Sequence, residues 1–527
     1  MRIGSSLLSG NNNIPGAVMP DELKVLLPTI FKAVRDYGCD YYDSIIEILR
    51  DDEISEVVAY NGFPIRYPHW RFGMIYEEFQ TQYELGISRI SELVINTSPT
   101  HIYCLSSNTL VDNVMVIAHA LGHSDFFKNN IHFSHTNTDM LNTMANNGAR
   151  IRKYMDRWGK ERVTQFIDHI LRLDNLIDPS MGWKKKQLKN EIIGDHRTYH
   201  FPRRLPVDRD YMEDWINPPE WLEQEHERIR KLEAIENLEL FTEPTKDILG
   251  FLRDNAPLKT WQQDVISILY DESLYFQPQI TTKVMNEGFA SKVDYEIMAG
   301  MGLCALGQPD ESCGIVEFAI HKSGVLGGKY SLNPYKLGFN LFMDIEERWN
   351  KGKFGEEWEN CRDIREKEKW DKKLGLGKEK IFEVRQFYND YMFINEFFTE
   401  EFCNKYEFFE WEKNATGEYV IASREYKPIK QKLLRRFLNG GNPEVKLVDP
   451  NFMGRGYFLM QHEWDGRELY LPYLKSVLTS IRSIWNDTVM LATRNKDGEE
   501  IIWTCDSEKE EEVEAVTREE FEITWFK

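Results

Sequence analysis

Paired cysteines are missing from this chain of 527 residues: its seven, at positions 39, 104, 304, 313, 361, 403 and 505, are scattered and form no Cys-x-x-Cys. That excludes a disulfide-stapled secreted fold and fits reduced thiols in a cytoplasmic protein. Long apolar runs are missing too. No stretch reaches 18 apolar residues, so no membrane span is expected. The first twenty residues, through Pro20, hold one Arg and no apolar run of signal-peptide length, and they read as a flexible Ser/Gly/Asn tail. Positive charge is in short supply: 65 Lys and Arg stand against 86 Asp and Glu, a net charge of −21. Such a surface repels phosphate backbones, so no nucleic-acid partner is expected, and the basic run Lys184 to Lys186 reads as a solvated loop. Nucleotide fingerprints are absent as well. Gly324 to Ser331 is glycine-rich, but Tyr330 follows Lys329 where a phosphate-binding loop needs Ser or Thr. No Rossmann glycine triplet and no Gly-x-Ser-x-Gly elbow occurs.

What the chain does have is aromatic mass: 14 Trp, 24 Tyr and 30 Phe, within a hydrophobic fraction of 42% against 29% charged. A chain of this length and composition folds without disulfides or a structural metal, and its aromatics favour concave, apolar-walled sites. The patterning predicts a mainly helical α+β protein with a large helical N-terminal domain and a small C-terminal α+β domain. Residues 1–20 form the tail, 21–182 and 247–440 the two parts of the main domain, and 183–246 a charged, proline-broken insertion or linker with one helix near 219–239. Residues 441–527 form the small domain with an acidic end.

In the main domain a helix is expected from Asp21 over Leu23, Val25, Leu26, Ile30 and Val34, with a bend at Pro28. Short strands are expected at Ile54–Tyr60, Glu92–Thr97 and His101–Leu105. A helix should run from Asn108 or Thr109 to Phe127, a polar helix over 142–176, and another over 281–298. The small domain reads as strands at Glu444–Leu447, Gly456–Gln461, Val489–Arg494 and Glu499–Thr504 around a helix at 471–485, after a break at Gly440 and Gly441. The stretch Asp506–Glu520 is expected to be a solvated end.

Two local patterns carry chemistry. His119-Ala-Leu-Gly-His123 puts two imidazoles four residues apart on one helix face, where both can reach one metal ion. Twelve histidines in 527 positions give about 0.3 such pairs by chance, so the pair needs a partner. Asn286-Glu287-Gly288-Phe289-Ala290-Ser291 supplies one. Glu287, Ser291 and Asp294 share a helical stripe, and Gly288 and Ala290 let that helix pack closely while the carboxylate points inward. This segment resembles the one in which gluzincin metallopeptidases carry their third zinc ligand. The resemblance implies a zincin-like main domain with His119, His123 and Glu287 on a divalent metal. The gluzincin general base, the Glu of His-Glu-x-x-His, is replaced here by Ala120. Standard peptidase chemistry is therefore not expected, and Glu92, Asp125 or Asp294 would have to take the proton.

Over a longer span the chain resembles the stage V sporulation protein R (SpoVR) family. The segments that carry the resemblance are Tyr67-Pro-His69-Trp70-Arg-Phe-Gly73, Glu92-Leu-Val-Ile-Asn96, Ser107-Asn108-Thr-Leu and His119 through Asn130. They continue with Lys283-Val-Met-Asn-Glu287-Gly, Asn333-Pro334-Tyr335-Lys-Leu-Gly338, Asp344-Ile-Glu-Glu-Arg-Trp349 and Lys380-Ile-Phe-Glu-Val-Arg385. The resemblance implies a cytoplasmic protein tied in spore-formers to the peptidoglycan cortex, and elsewhere to stress or stationary-phase physiology. It also implies a pathway shared with a PrkA-like serine kinase, and no established reaction.

Two positions depart from the family pattern. Where relatives carry a His seven residues after the Glu, this chain has Asp294, and near position 147, where relatives carry another, it has Asn147 and Gly148. Asp294 can still ligate, but it suits harder cations, so manganese or iron stand beside zinc as candidates. His69, His321 and Asn333 are further cleft candidates. Two classes of function stay open. One is a divalent-metal, hydrolase-like protein acting on a peptide or cell-wall-related substrate. The other is a non-catalytic scaffold or regulator that works through protein partners. Geometry separates them: Glu287 more than about 8 Å from both histidines would exclude a shared ion.

Overall fold

The computed structural model describes residues 18–84, 92–183, 244–303, 311–328, 330, 333–414, 416–506 and 513–517. The tail through residue 17 and nearly all of the insertion expected at 183–246, with its helix near 219–239, lie outside the described residues. The chain divides into two compact units, Met1–Thr164 with Tyr275–Asn442, and Gln165–Leu274 with Pro443–Lys527. Helices predominate and the sheets are small, which is the mainly helical α+β architecture expected. No helix among the described residues is long and apolar enough to cross a membrane.

In the first unit α1 (Asp21–Asp36) carries Pro28 in its interior and buries Leu23, Leu27, Ile30 and Val34. Then come β1 (Ser44–Leu49), α2 (Asp51–Ala59), β2 (Glu92–Ile95) and β3 (Thr100–Leu105). The sheet order is β1-β3-β2, with β1 parallel and β2 antiparallel to β3. β1 was not expected from the sequence. Its last four residues are all buried, so it lacks the polar alternation that marks a half-covered strand. The strand expected at 54–60 is a helix instead, α2. Asp51, Asp52 and Glu53 occupy its first turn, Glu53 Oε2 accepts from the Arg50 N–H at 2.9 Å, and Ser55 Oγ donates to the Asp51 carbonyl at 2.7 Å. With Ile54 and Val57 buried three apart, these terminal hydrogen bonds and the acidic first turn override β-branched propensity.

α3 (Leu110–Asn129) opens on a reciprocal cap: the Asp112 N–H donates to Thr109 Oγ1 at 3.1 Å, and Asp112 Oδ2 accepts from the Thr109 N–H at 3.3 Å. Sixteen of its residues, from Val111 to Phe127, are buried, so it runs through the core and not along the surface. The single polar helix expected over 142–176 is two, Met140–Trp158 and Lys160–Leu171, parted at Gly159 with φ +92°.

α4 (Lys283–Tyr295) passes into a π-helical turn, Glu296–Gly300, and is followed by α5 (Glu311–Val325), α6 (Pro334–Lys351), α7 (Gly377–Phe387) and α8 (Asp390–Phe397). Backbone touches backbone on both sides of α4. A Cβ on Gly288 would fall 2.4 Å from the Gly338 carbonyl carbon on α6, and one on Gly122 would fall 2.9 Å from Ala290 Cα. The α4 N-terminus is capped from another helix: Asp390, buried at the start of α8, accepts from the Val284 and Met285 N–H groups, both at 2.9 Å.

In the second unit β4 (Val445–Phe452), β5 (Tyr457–His462), α9 (Leu471–Trp485), β6 (Val489–Arg494), β7 (Glu500–Cys505) and β8 (Val513–Thr517) form one sheet with its helix. The strand order is β8-β7-β6-β5-β4. Only the β5–β6 pair is parallel, and α9 is the crossover that such a pair needs. The acidic end expected to be solvated contributes β8, antiparallel to β7. Val513, Val516 and Thr517 are β-branched and suffice for an edge strand that keeps Glu514 exposed.

Candidate metal centre

α3 presents His119 and His123 one turn apart. Both are buried, and their rings meet edge to face with centroids 4.6 Å apart. α4 brings in Glu287, next to the Gly288 contact that draws this helix against α6. Glu92, the first residue of β2, completes the group. His119 Nε2 lies 3.4 Å from Glu92 Oε1 and 3.6 Å from Glu287 Oε2, and His123 Nε2 lies 3.4 Å from Glu287 Oε2. One ligand atom each from Glu92, His119 and His123 all fall within 4.8 Å of one another.

Those separations are long for hydrogen bonds, and Glu92 Oε2 and Glu287 Oε2 are buried with no hydrogen-bond partner among the described residues. They match instead the edge of a tetrahedron, roughly 3.3–3.6 Å for ligand bonds of about 2.0–2.2 Å. The far side of each ring is engaged. His119 Nδ1 is 2.7 Å from Asp294 Oδ2, and His123 Nδ1 is 2.9 Å from Asn286 Oδ1. A carboxylate or amide oxygen only accepts, so each Nδ1 carries the proton and each Nε2 turns a lone pair toward Glu92 and Glu287. Lone pairs facing carboxylates repel unless positive charge stands between them. The orphaned oxygens and the donor set of imidazole nitrogens and carboxylates fit a divalent metal.

Without a cation, a proton takes that place. Burial alone drives an imidazole down, yet Glu92, Asp294 and Glu287 outweigh it and hold His119 up to about 10. Burial also works against Glu287, but His119 and His123 pull it well below the usual carboxylate range. At Glu92 burial wins, and its carboxyl is raised. The Tyr335 phenol, in the first turn of α6, is raised by burial and then by the Glu287 and Glu92 charges. Asn333 builds that turn: its Oδ1 accepts from the Tyr335 N–H at 2.9 Å and the Lys336 N–H at 3.3 Å.

The other candidates are placed elsewhere. Asp294 stands behind His119, its Oδ1 2.5 Å from Lys322 Nζ, and not on the Nε2 side. Asp125 pairs with Arg385 at 3.0 Å and accepts the Asp40 N–H at 2.6 Å. His321 pairs with Asp112 at 3.0 Å, at the opening turn of α3. His69 sits among Tyr67, Trp70 and Phe72. Gly148 lies against the Arg66 backbone, with 3.0 Å between a built Cβ and the Arg66 carbonyl carbon. Sequence reasoning missed Tyr335 and Lys322. Tyr335 lay inside the Asn333-Pro334-Tyr335 motif and was within reach, whereas no local pattern marks Lys322 as buried.

The model of a family described as SpoVR like protein matches residues 18–442, a span that holds every residue of the centre. The chain is similar to the uncharacterized protein YcgB of Escherichia coli (strain K12), 27% identical over 510 residues that cover 92% of this chain and 94% of that one. No solved structure matches the chain.

Proposed function

The chain belongs to the SpoVR family, and we propose that within it this protein is a divalent-metal-binding, hydrolase-like protein acting on a peptide or cell-wall-related substrate. The observation that carries the reading is the pair of Nε2 atoms facing Glu92 and Glu287 at 3.4–3.6 Å, with two buried carboxylate oxygens left unbonded. His119, His123 and Glu287 would hold the ion, zinc first by the imidazole content, with manganese or iron compatible with the carboxylates. Held there, a divalent cation would supply Lewis acidity toward a carbonyl oxygen or a water.

The chain's own groups supply the rest. Ala120 cannot act as a base, and Glu92, raised by burial and with Oε2 unbonded among the described residues, would be the carboxylate to take a proton. Tyr335, kept protonated by burial and by the charges around it, could donate a hydrogen bond to a developing oxyanion. Asp125 faces Arg385 at 3.0 Å and is given no role in this reading. The family's tie to spore cortex, or to stress and stationary phase, supports peptidoglycan fragments as the first substrates to try. The described cysteines, Cys39, Cys104, Cys361, Cys403 and Cys505, carry free thiols, which supports a cytoplasmic location.

A second reading is a scaffold that works through protein partners, a PrkA-like serine kinase pathway among them. It is favoured by α5, whose Ile315, Val316 and Ile320 are 54%, 57% and 68% exposed. The two readings part on metal content, measured by mass spectrometry on protein purified without a metal-binding tag, beside His119→Ala and Glu287→Gln. About one equivalent in the wild type, lost in both variants, supports the metal reading and leads to a hydrolysis screen. Protein that takes up no zinc, manganese or iron on dialysis sinks it and leaves the scaffold.

A further inference from the structure

α5 gives two consecutive side chains to the two helices of the metal centre. His321 Nδ1 meets Asp112 Oδ1 of α3 at 3.0 Å. Lys322 Nζ donates to Asp294 Oδ1 of α4 at 2.5 Å and to the Ser291 carbonyl at 2.9 Å. Lys322 and Asp294 are both buried, 8% and 3% exposed. A lysine is rarely buried without a task, because desolvating an ammonium is costly unless a partner compensates it. Here the partner is also the acceptor of His119. One oxygen of Asp294 takes the Lys322 ammonium, and the other, Oδ2, takes the His119 Nδ1–H at 2.7 Å. The Lys322 ammonium also lies over the Phe339 ring of α6, 5.2 Å from its centroid.

The line therefore runs from α5 through α4 to α3. Asp294 without Lys322 is a buried carboxylate with half its charge uncompensated, free to turn away from the imidazole. Asp294 held by Lys322 has one orientation, and His119 then has one tautomer and one aim. His123 has no such arm: its Nδ1 meets the neutral amide oxygen of Asn286 at 2.9 Å. The two imidazoles are thus held differently, His119 by a charged arm and His123 by a neutral amide.

We propose that Lys322 and Asp294 are positioning residues of the metal centre, with Lys322 fixing the Asp294 carboxylate and Asp294 fixing the direction of His119 Nε2. This rests on the metal reading above. It assigns Asp294 a place behind the ligand, and it makes α5, through Lys322, a structural part of the site.

The test is titration of zinc, and of cobalt as a visible-absorption probe, into full-length wild type, Lys322→Met, Lys322→Arg, Asp294→Asn and His321→Gln. Lys322→Met and Asp294→Asn should each weaken metal affinity about 10- to 100-fold and shift the cobalt spectrum. Lys322→Arg, which keeps the charge, should recover much of both. His321→Gln removes the adjacent ion pair of the same helix and should leave affinity and spectrum close to wild type. Thermal unfolding of the metal-free proteins separates a loss of fold from a loss of binding, and Lys322→Gln carries the same readout should Lys322→Met not fold. Equal affinity in wild type, Lys322→Met and Asp294→Asn overturns the proposal. So does an equal loss in His321→Gln and Lys322→Met, since the effect is then the docking of α5 in general. A wild type that binds neither metal overturns this inference, and the metal reading falls with it when manganese and iron are refused on dialysis as well.

Discussion

At the scale of single residues the centre is a balance of charges in a dry place. His119 is surrounded by Glu92, Glu287 and Asp294, and Lys322 offsets Asp294 from the far side. In metal-free protein the proton on His119 does what the ion would do, which gives a pH dependence with a definite sign. A group whose folded pKa stands above its unfolded value adds stability that is present below the unfolded value and lost as pH rises through the folded one. For His119 that window runs from 6.5 to about 10. Glu287 is held below its ordinary 4.5, so its contribution is present above that value and lost as pH falls beneath it. Metal-free wild type should therefore lose stability relative to His119→Gln between pH 6.5 and 10. Urea midpoints in the presence of chelator would read it; a difference that stays flat across the window sinks the charge assignment. That His119 and His123 share one helix face was legible from their spacing, while Glu287 was expected beside them only through the gluzincin resemblance of its segment. The place of Asp294 was not, since which ring nitrogen a carboxylate meets is decided by packing across helices.

Elements decide how precisely those side chains are aimed. α4 meets α6 through Gly288 and Gly338 and meets α3 through Gly122 and Ala290, so it is held from two sides at backbone distance. Gly288→Ala would drive a methyl into the Gly338 backbone, 2.4 Å away, and no side chain can rotate to relieve it. The expected loss is about 1–3 kcal/mol, with metal affinity falling as Glu287 shifts. Gly122→Ala, whose nearest atom lies at 2.9 Å, should cost less. Urea unfolding and metal content on the same samples would check both; an unchanged Gly288→Ala rules out the close crossing. α3 could be read from sequence because its cap and its period agree. α2 could not, because Ile54, Val57 and Val58 favour a strand by type while the Arg50, Asp51 and Glu53 hydrogen bonds favour a helix by position. Nor could β1, which is too buried to alternate.

For the whole molecule the consequence is linkage. All the residues of the centre belong to the unit formed by Met1–Thr164 and Tyr275–Asn442. An ion that binds the native state and not the unfolded chain stabilises by about 2.7 kcal/mol at a hundred times its Kd. Chelation should lower the unfolding temperature of that unit, and readdition of the metal should restore it. Scanning calorimetry with and without chelator measures this; a thermogram that chelation leaves unmoved denies the native state a bound ion. The charge of −21 belongs to the same scale. A negative field of this size disfavours polyanions, and Ile315, Val316 and Ile320 stand exposed on α5.

Composition and periodicity by themselves determined the helical bias, the β–α–β order of the last hundred residues, and two histidines on one face of one helix. These are local properties: a cap, a period of 3.6 and a turn residue act over a few neighbours. Only the tertiary structure decided that Glu92 and Glu287 reach those histidines from opposite sides in sequence, 27 residues before His119 and 164 after His123. It alone decided that Lys322 is buried and that Asp294 stands behind a ring. Such assignments depend on which backbones touch and on how a buried charge finds its compensation, and both are settled by atoms far apart along the chain.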